Sequence, residues 1–186
     1  HRVLYYGPKP VEEVLTSLKA GHVVTDELKD VAPAREFPMM DVTKPTVYWA
    51  NYDMVQEEAM FMIKGEPFNK DLMAYSRLYN EYMGNQVFRE LREAQGLAYS
   101  TFTQYATAPN AKSNDSFFGY IGAQADKQAE ALKGLEDIIF DMPQTEDGFK
   151  EAKEAVLGVM ESERIVKTQI LFNFLTAEKR GLNYDV

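Results

Sequence analysis

The stretch RELREAQGLAYS, residues 89–100, joins a charged helix end to a β-favouring run through a single glycine. Gly96 suits the left-handed backbone conformation that ends many helices, because glycine carries no Cβ to clash there. The residues after it favour an extended strand, whose third residue is Tyr99. The stretch therefore predicts a helix that stops at Gly96 and a strand that begins directly after it.

Two side chains of this stretch are candidates for binding. On a helical wheel, one apolar side is formed by Val87, Phe88, Leu91 and Ala94. Arg89 then points away from that side, whereas Arg92 lies at its edge and is expected to be partly sheltered. A guanidinium fork and a phenol suit a peptide carbonyl, or the oxyanion that the carbonyl becomes during hydrolysis. The spacing leaves a second interpretation open, in which Arg92 pairs with a nearby carboxylate such as Glu90 or Glu93 and Tyr99 belongs to the core.

Upstream of this stretch the sequence predicts strands followed by helices. The runs TVYWA (46–50) and AMFMI (59–63) are rich in β-branched and aromatic residues and predict an antiparallel pair. Asn69 is a candidate cap for a helix whose apolar face extends to Gly84. A second helix is predicted over residues 86–95.

Downstream, two extended runs, 97–107 and 116–124, are joined by the turn-forming segment APNAKSND and predict a hairpin. Helical spacing of apolar residues follows over 128–140, 149–166 and 168–179, and the last helix stops at Gly181. Strands in pairs and helices in blocks indicate an α+β fold with an antiparallel-rich sheet covered by helices.

The beginning of the chain is predicted to be a separate strand-helix unit. Residues 2–6 favour a strand, and apolar residues recur at helical spacing from Val11 to Leu18. Between residues 22 and 45 three prolines and scattered charges indicate a linker. We therefore expect a strand-helix unit over 1–21, a linker over 22–45 and the main domain over 46–186.

Composition restricts the class of partner. The formal net charge of −9 and the pI near 4.8 disfavour binding to nucleic acid or to an anionic membrane surface. No apolar run approaches the roughly 18 to 20 residues that span a bilayer. The sequence leaves the compartment open, with the periplasm or cell envelope of a bacterium among the candidates.

Residue types also restrict the chemistry that the chain can perform alone. It has no cysteine, and its two histidines, His1 and His22, are too far apart in sequence for a zinc motif of the HEXXH or HXXEH kind. His22 is better explained as a residue at a helix end. Four glutamates of the long helix fit a solvated face rather than a cation site: Glu151, Glu154, Glu161 and Glu163. With no serine nucleophile motif and no phosphate loop either, we assign no catalytic residue, no metal ligand and no cofactor to this chain.

The motif RELREAQGLAYS, together with EYMGNQVF before it, resembles the second domain of a half of the M16 (insulinase/pitrilysin-type) zinc peptidases. There a helix bearing LRE leads through a glycine to LAYS. The resemblance covers roughly residue 46 to the end and implies an M16 peptidase-like (LuxS/MPP-like) fold that is truncated at its C-terminus. HRVLYYGPKPVEEVLTSL resembles the strand-helix unit that closes a neighbouring domain of the same fold.

This chain lacks HXXEH, so the resemblance implies the non-catalytic, inactive peptidase domain. In that family an arginine and a tyrosine with six residues between them reach towards substrate in the zinc-bearing half, and Arg92 and Tyr99 have that separation. The resemblance implies peptide as substrate, zinc in the catalytic domain of the parent protein, and a catalytic M16 domain in the same or a partner chain. Two alternatives remain, a scaffold domain of an M16-like complex without a peptide site and an independent hydrolase that uses carboxylates.

Overall fold

A computed structural model describes residues 2–23, 27, 29–33 and 35–183. Helix α1 spans Val11–Gly21, and strand β1, Gln56–Pro67, precedes helix α2, Met73–Val87. Strands β2, Ser100–Ala106, and β3, Asn114–Gln124, form the hairpin, and three helices follow: α3, Gln128–Phe140; α4, Glu146–Ser162; and α5, Ile170–Arg180. The fold is α+β, as predicted. Residue 1 and residues 184–186, the two ends of the predicted domains, lie outside the described residues, as do 24–26, 28 and 34 of the predicted linker.

The sheet has three antiparallel strands in the order β1-β3-β2. The predicted hairpin is confirmed, with Ser100 opposite Gly122 and Ala106 opposite Ser116. Strand β1 joins the other edge of β3, with Gln56 opposite Gln124. Because β3 is the central strand, it carries the most buried positions of the sheet, among them Ile121, which is completely buried.

Helices cover one face of the sheet. Odd-numbered residues of β3 face α3: a Cβ added at Gly119 would lie 2.9 Å from Ile139 Cδ1, so the glycine permits the helix to approach closely. Helix α2 lies over β2 and packs against α4, where Ala152 is fully buried. The buried core sits between this face and the helices and includes Met83, Val87 and Leu135.

The opposite face of the sheet is open in the described part of the chain. Phe102 and Tyr120, directly opposite each other on β2 and β3, stack with ring centroids 5.1 Å apart. Met60 and Met62 of β1 stand on the same face and are more than half exposed.

Helix α5 docks at the end of the sheet where the hairpin turns. Arg180 Nε donates to the Ala108 carbonyl at 2.9 Å, and the Ala111 N–H donates to the Lys179 carbonyl at 3.0 Å. The helix ends at Gly181, as predicted, and the φ of 67° there is left-handed. Asp115, completely buried at the start of β3 beside this turn, accepts from the Ala108 N–H at 2.8 Å.

Three sequence predictions about individual elements are wrong. Residues 2–6 form no strand: they pair with none of the three strands of the sheet, and Arg2 lies at α5, where it makes a 2.5 Å ion pair with Glu178. Residues 46–50 are not a strand either; Tyr48 and Trp49 are exposed, and β1 pairs with β3 instead. The helix does not end at Gly84, since α2 continues through it without interruption.

Candidate functional site

The helix that carries Arg92 changes its winding just before the site. After Val87 the chain continues from α2 into a π-helical segment, Phe88–Ala94, with no break between them. Met83, Val87 and Leu91 are completely buried and fix this end of the helix to the core. π-Helical turns are rare and are found frequently at functional sites.

Backbone hydrogen bonds fix the turn from helix to strand. The Gln95 N–H donates to the Glu90 carbonyl at 3.1 Å, a bond of π-helical spacing. The Leu97 N–H then donates to the Leu91 carbonyl at 2.9 Å, which closes the helix end. Gly96 has a φ of 60°, so its predicted left-handed conformation is confirmed.

The strand side of this junction is anchored to the sheet. Leu97 and Ala98 are buried, and the Tyr99 N–H donates to the Gly122 carbonyl at 2.9 Å. The backbone on both sides of Gly96 is therefore tied to the core, and the exposed side chains of the segment project from a fixed frame.

Arg92 is exposed, so its predicted partial shelter at the apolar edge is wrong. Its Cζ lies 5.1 Å from the centroid of the Phe88 ring, which precedes it by four residues and is itself partly exposed. The guanidinium stacks on the outer face of this ring because Leu91 and Val87, not Phe88, occupy the buried side. In the described part of the chain no carboxylate lies within ion-pair distance of Arg92, so the alternative pairing with Glu90 or Glu93 is not observed.

The orientation of Arg89 agrees with the prediction from the helical wheel. Arg89 points away from the core and pairs with Glu151 of α4, its Nη2 lying 3.0 Å from Oε2. The glutamate face of α4 is solvent-exposed, as expected.

Tyr99 is 49% exposed and therefore does not belong to the core. Its hydroxyl oxygen accepts a hydrogen bond from Gln124 Nε2 at 2.7 Å. Because the oxygen is the acceptor in this bond, its own proton remains available to donate to a ligand. Arg92 and Tyr99 thus lie on the same junction, each with its own partner, and among the described residues no hydrogen bond joins them.

A small notch opens beside Tyr99. Its volume is about 90 Å³, and its lining consists of Gly96, Leu97, Ala98, Tyr99, Gln124 and Lys127. Sequence reasoning missed Gln124 and Lys127. The hairpin register contained the signal, because pairing Ser100 with Gly122 places the residues before β2 alongside the end of β3 and the residues that follow it.

Neither histidine changes this description of the site. His22 directly follows α1, and its backbone N–H donates to the Leu18 carbonyl at 2.8 Å, which agrees with its assignment to a helix end. His1 lies outside the described residues. Over the residues that the structure describes, no group of three or more histidine, aspartate or glutamate side chains is placed to hold a metal ion.

None of the described helices combines the length and the apolar character needed to cross a bilayer.

Comparison with known proteins finds similarity among solved structures. No protein-family profile and no curated protein sequence matches this chain. Among solved structures, it is similar to a crystal structure of a peptidase M16 inactive domain from Pseudomonas fluorescens, with a TM-score of 0.59 and 17% sequence identity. The similarity covers 71% of this chain and 32% of that chain, so this chain spans about a third of the solved relative. The likeness shows that the fold is M16 peptidase-like.

Proposed function

We propose that this chain is a non-catalytic domain of an M16-type zinc metallopeptidase that helps to bind and position peptide substrate. In this proposal Arg92 and Tyr99 donate hydrogen bonds to a peptide carbonyl, or to the oxyanion formed during its hydrolysis. The metal and the general base belong to a catalytic M16 domain in the same chain or in a partner chain.

The observation that carries the proposal is the state of the two donors. Arg92 and Tyr99 lie on either side of Gly96, and both are exposed. Among the described residues, Arg92 has no carboxylate partner and the Tyr99 hydroxyl donates to no acceptor. A hydrogen bond from a charged donor contributes about 1.5 to 3 kcal/mol, and its contribution is largest when the donor is already positioned. Buried Leu91, Leu97 and Ala98 hold the backbone that carries both donors.

The division of labour between two domains follows from the residue types. Two histidines separated by 20 residues cannot supply the paired imidazoles of an HXXEH site on one helix. Zinc in this proposal is therefore a cofactor of the other domain, and this chain contributes positioning and electrostatic stabilisation. The similarity of the fold to an M16 inactive domain supports this division.

Peptide cleavage by the complete enzyme tests the proposal. Arg92→Ala and Tyr99→Phe should each lower kcat/KM at least about tenfold, since a single lost transition-state donor commonly costs that much or more. Arg89→Ala is the matched control: it removes an arginine three residues away that is engaged with Glu151. Circular dichroism of each variant checks the fold.

A scaffold domain would give a different result. If Arg92 and Tyr99 serve only packing, their variants should retain the same turnover as Arg89→Ala. Equal turnover in all three variants would therefore reject the peptide-binding role.

A further inference from the structure

We propose that the notch beside Tyr99 is a binding site for a carboxylate group, and that it selects peptides which place a carboxylate there. This inference rests on the proposed peptide-binding function and adds a substrate class to it. The notch is defined by the six lining residues given above, 96–99, 124 and 127.

Two donors in the notch are available to an anion. The Gln124 amide donates one N–H to the Tyr99 hydroxyl at 2.7 Å, which orients the amide beside the notch and leaves the phenolic proton for the peptide carbonyl. Lys127 carries three N–H donors and has no ion-pair partner among the described residues. The amide of Gln124 retains a second N–H beside the one that it donates.

The charge and the size of the notch favour a carboxylate over other anions. Its lining contains one cation, Lys127, and no acidic side chain. A single positive charge matches a monoanion, and the chain's net charge of −9 repels a dianion such as a phosphate monoester more strongly than a monoanion. A volume of about 90 Å³ accommodates a carboxylate with one or two attached carbons.

Open space at Gly96 completes the site. A Cβ at that position would meet no atom within 4 Å, so the backbone of the helix-strand junction is accessible from the notch. A carboxylate seated there would lie on the same junction that presents Arg92 and Tyr99. The group would come from the C-terminus of a peptide or from an aspartate or glutamate side chain, and both sources offer the same pair of acceptor oxygens.

Nuclear magnetic resonance on the ¹⁵N-labelled full chain tests the proposal. The probes are N-acetylglycine, N-acetylglutamate α-amide and neutral N-acetylglycinamide. The two acids should shift the backbone amides of Gly96, Leu97 and Tyr99 and the side-chain amide of Gln124, and the neutral amide should bind at least about tenfold more weakly. The acid that binds more tightly identifies the source of the carboxylate. Tighter binding of N-acetylglycine indicates a peptide C-terminus, and tighter binding of N-acetylglutamate α-amide indicates an acidic side chain.

Variants connect the binding to the notch. Lys127→Gln should weaken binding of the acids about tenfold, because it removes a cationic donor to a charged group. Lys133→Gln is the matched control, since Lys133 lies on α3 outside the notch and is paired with Asp137. A ¹⁵N spectrum of each variant that overlays the parent away from the substituted residue confirms the fold.

Three results would overturn the carboxylate site: equal binding of the neutral amide, affinity unchanged by Lys127→Gln, or no saturable shift with either acid. Each is distinct from failure of the peptide-binding function. If Arg92→Ala lowers cleavage but neither acid binds the notch, the peptide-binding function is supported and the carboxylate site is refuted. If the acids bind the notch but Arg92→Ala leaves cleavage unchanged, the carboxylate site is supported and the peptide-binding function is refuted.

Discussion

Leu91→Ala tests whether the site is held in place by the core beneath it. Leu91 is completely buried in the π-helical segment, and its carbonyl accepts the Leu97 N–H that closes the helix. A Cβ added at Gly134 of α3 would lie only 2.8 Å from Leu91 Cδ2, so the side chain packs directly on a helix position that has no side chain of its own.

The expected cost follows from that packing. Removing three buried carbons loses about 2.4 kcal/mol of transfer free energy, at about 0.8 kcal/mol per carbon. Gly134 has no side chain that could fill the space, and a residual cavity of about 50 Å³ adds about 1.2 kcal/mol. The free energy of unfolding should therefore fall by about 3.6 kcal/mol, within the range found for buried Leu→Ala substitutions.

Urea unfolding followed by circular dichroism measures this change. The matched control is Leu157→Ala, because Leu157 of α4 is 46% exposed and its truncation should cost less than about 1 kcal/mol. Gly134→Ala extends the test. In the parent its new methyl collides with Leu91, whereas in the Leu91→Ala background the methyl enters the cavity and the helix-propensity gain of up to about 1 kcal/mol is retained.

A double-mutant cycle of Leu91→Ala and Gly134→Ala should give a favourable coupling free energy of about 1 to 2 kcal/mol. A Leu91→Ala variant as stable as Leu157→Ala would refute the reasoning. So would additivity of the Leu91 and Gly134 substitutions, since it would mean that the two positions do not pack on each other.

Two further predictions concern the backbone and the partly buried Tyr105. Gly96→Ala should destabilise the fold by about 1 to 2 kcal/mol, because the φ of Gly96 is 60°. Gly84→Ala should stabilise the fold by up to about 1 kcal/mol, because Gly84 lies in an uninterrupted helix with open space around it. If urea unfolding gave a change of the same sign for both variants, the assigned backbone conformations would be contradicted. Burial, with the adjacent Asp115 carboxylate, raises the pKa of Tyr105, so the folded state favours the neutral phenol and stability should decline as pH rises above the unfolded pKa of about 10. Asp115→Asn should lower the pKa of Tyr105 in an ultraviolet phenolate titration, with Tyr105→Phe identifying the signal, and an unchanged or higher pKa would show that the Asp115 charge contributes nothing.

Much of the fold was predictable because its signals are local. The hairpin, the left-handed glycines at 96 and 181, and the three C-terminal helices each follow from turn residues or apolar spacing within a short window. The pairing of β1 was not predictable in this way. Its partner, β3, lies about 60 residues downstream, and the nearer TVYWA run has the same β-favouring composition without a strand edge to join.

At Gly84 the sequence predicted a helix end, whereas the structure continues the helix. Glycine costs a helix interior only about 1 kcal/mol, and the buried residues Met83 and Val87 on either side outweigh that cost. In the candidate site, Arg92 and Tyr99 were proposed from the sequence. The π-helical winding around Arg92, and the sheet register that brings Gln124 and Lys127 beside Tyr99, were not predicted. Neither is visible in a helical wheel.

The most direct test of the central claim is a titration of unstructured ten-residue peptides, blocked at both termini and free of acidic residues, into the ¹⁵N-labelled chain. If Arg92 and Tyr99 bind the peptide backbone, amide shifts should concentrate between residues 88 and 100 and around Gln124, and Arg92→Ala with Tyr99→Phe should abolish them while Arg89→Ala leaves them intact. Shifts that survive the double substitution, or that appear on another surface, would contradict the claim.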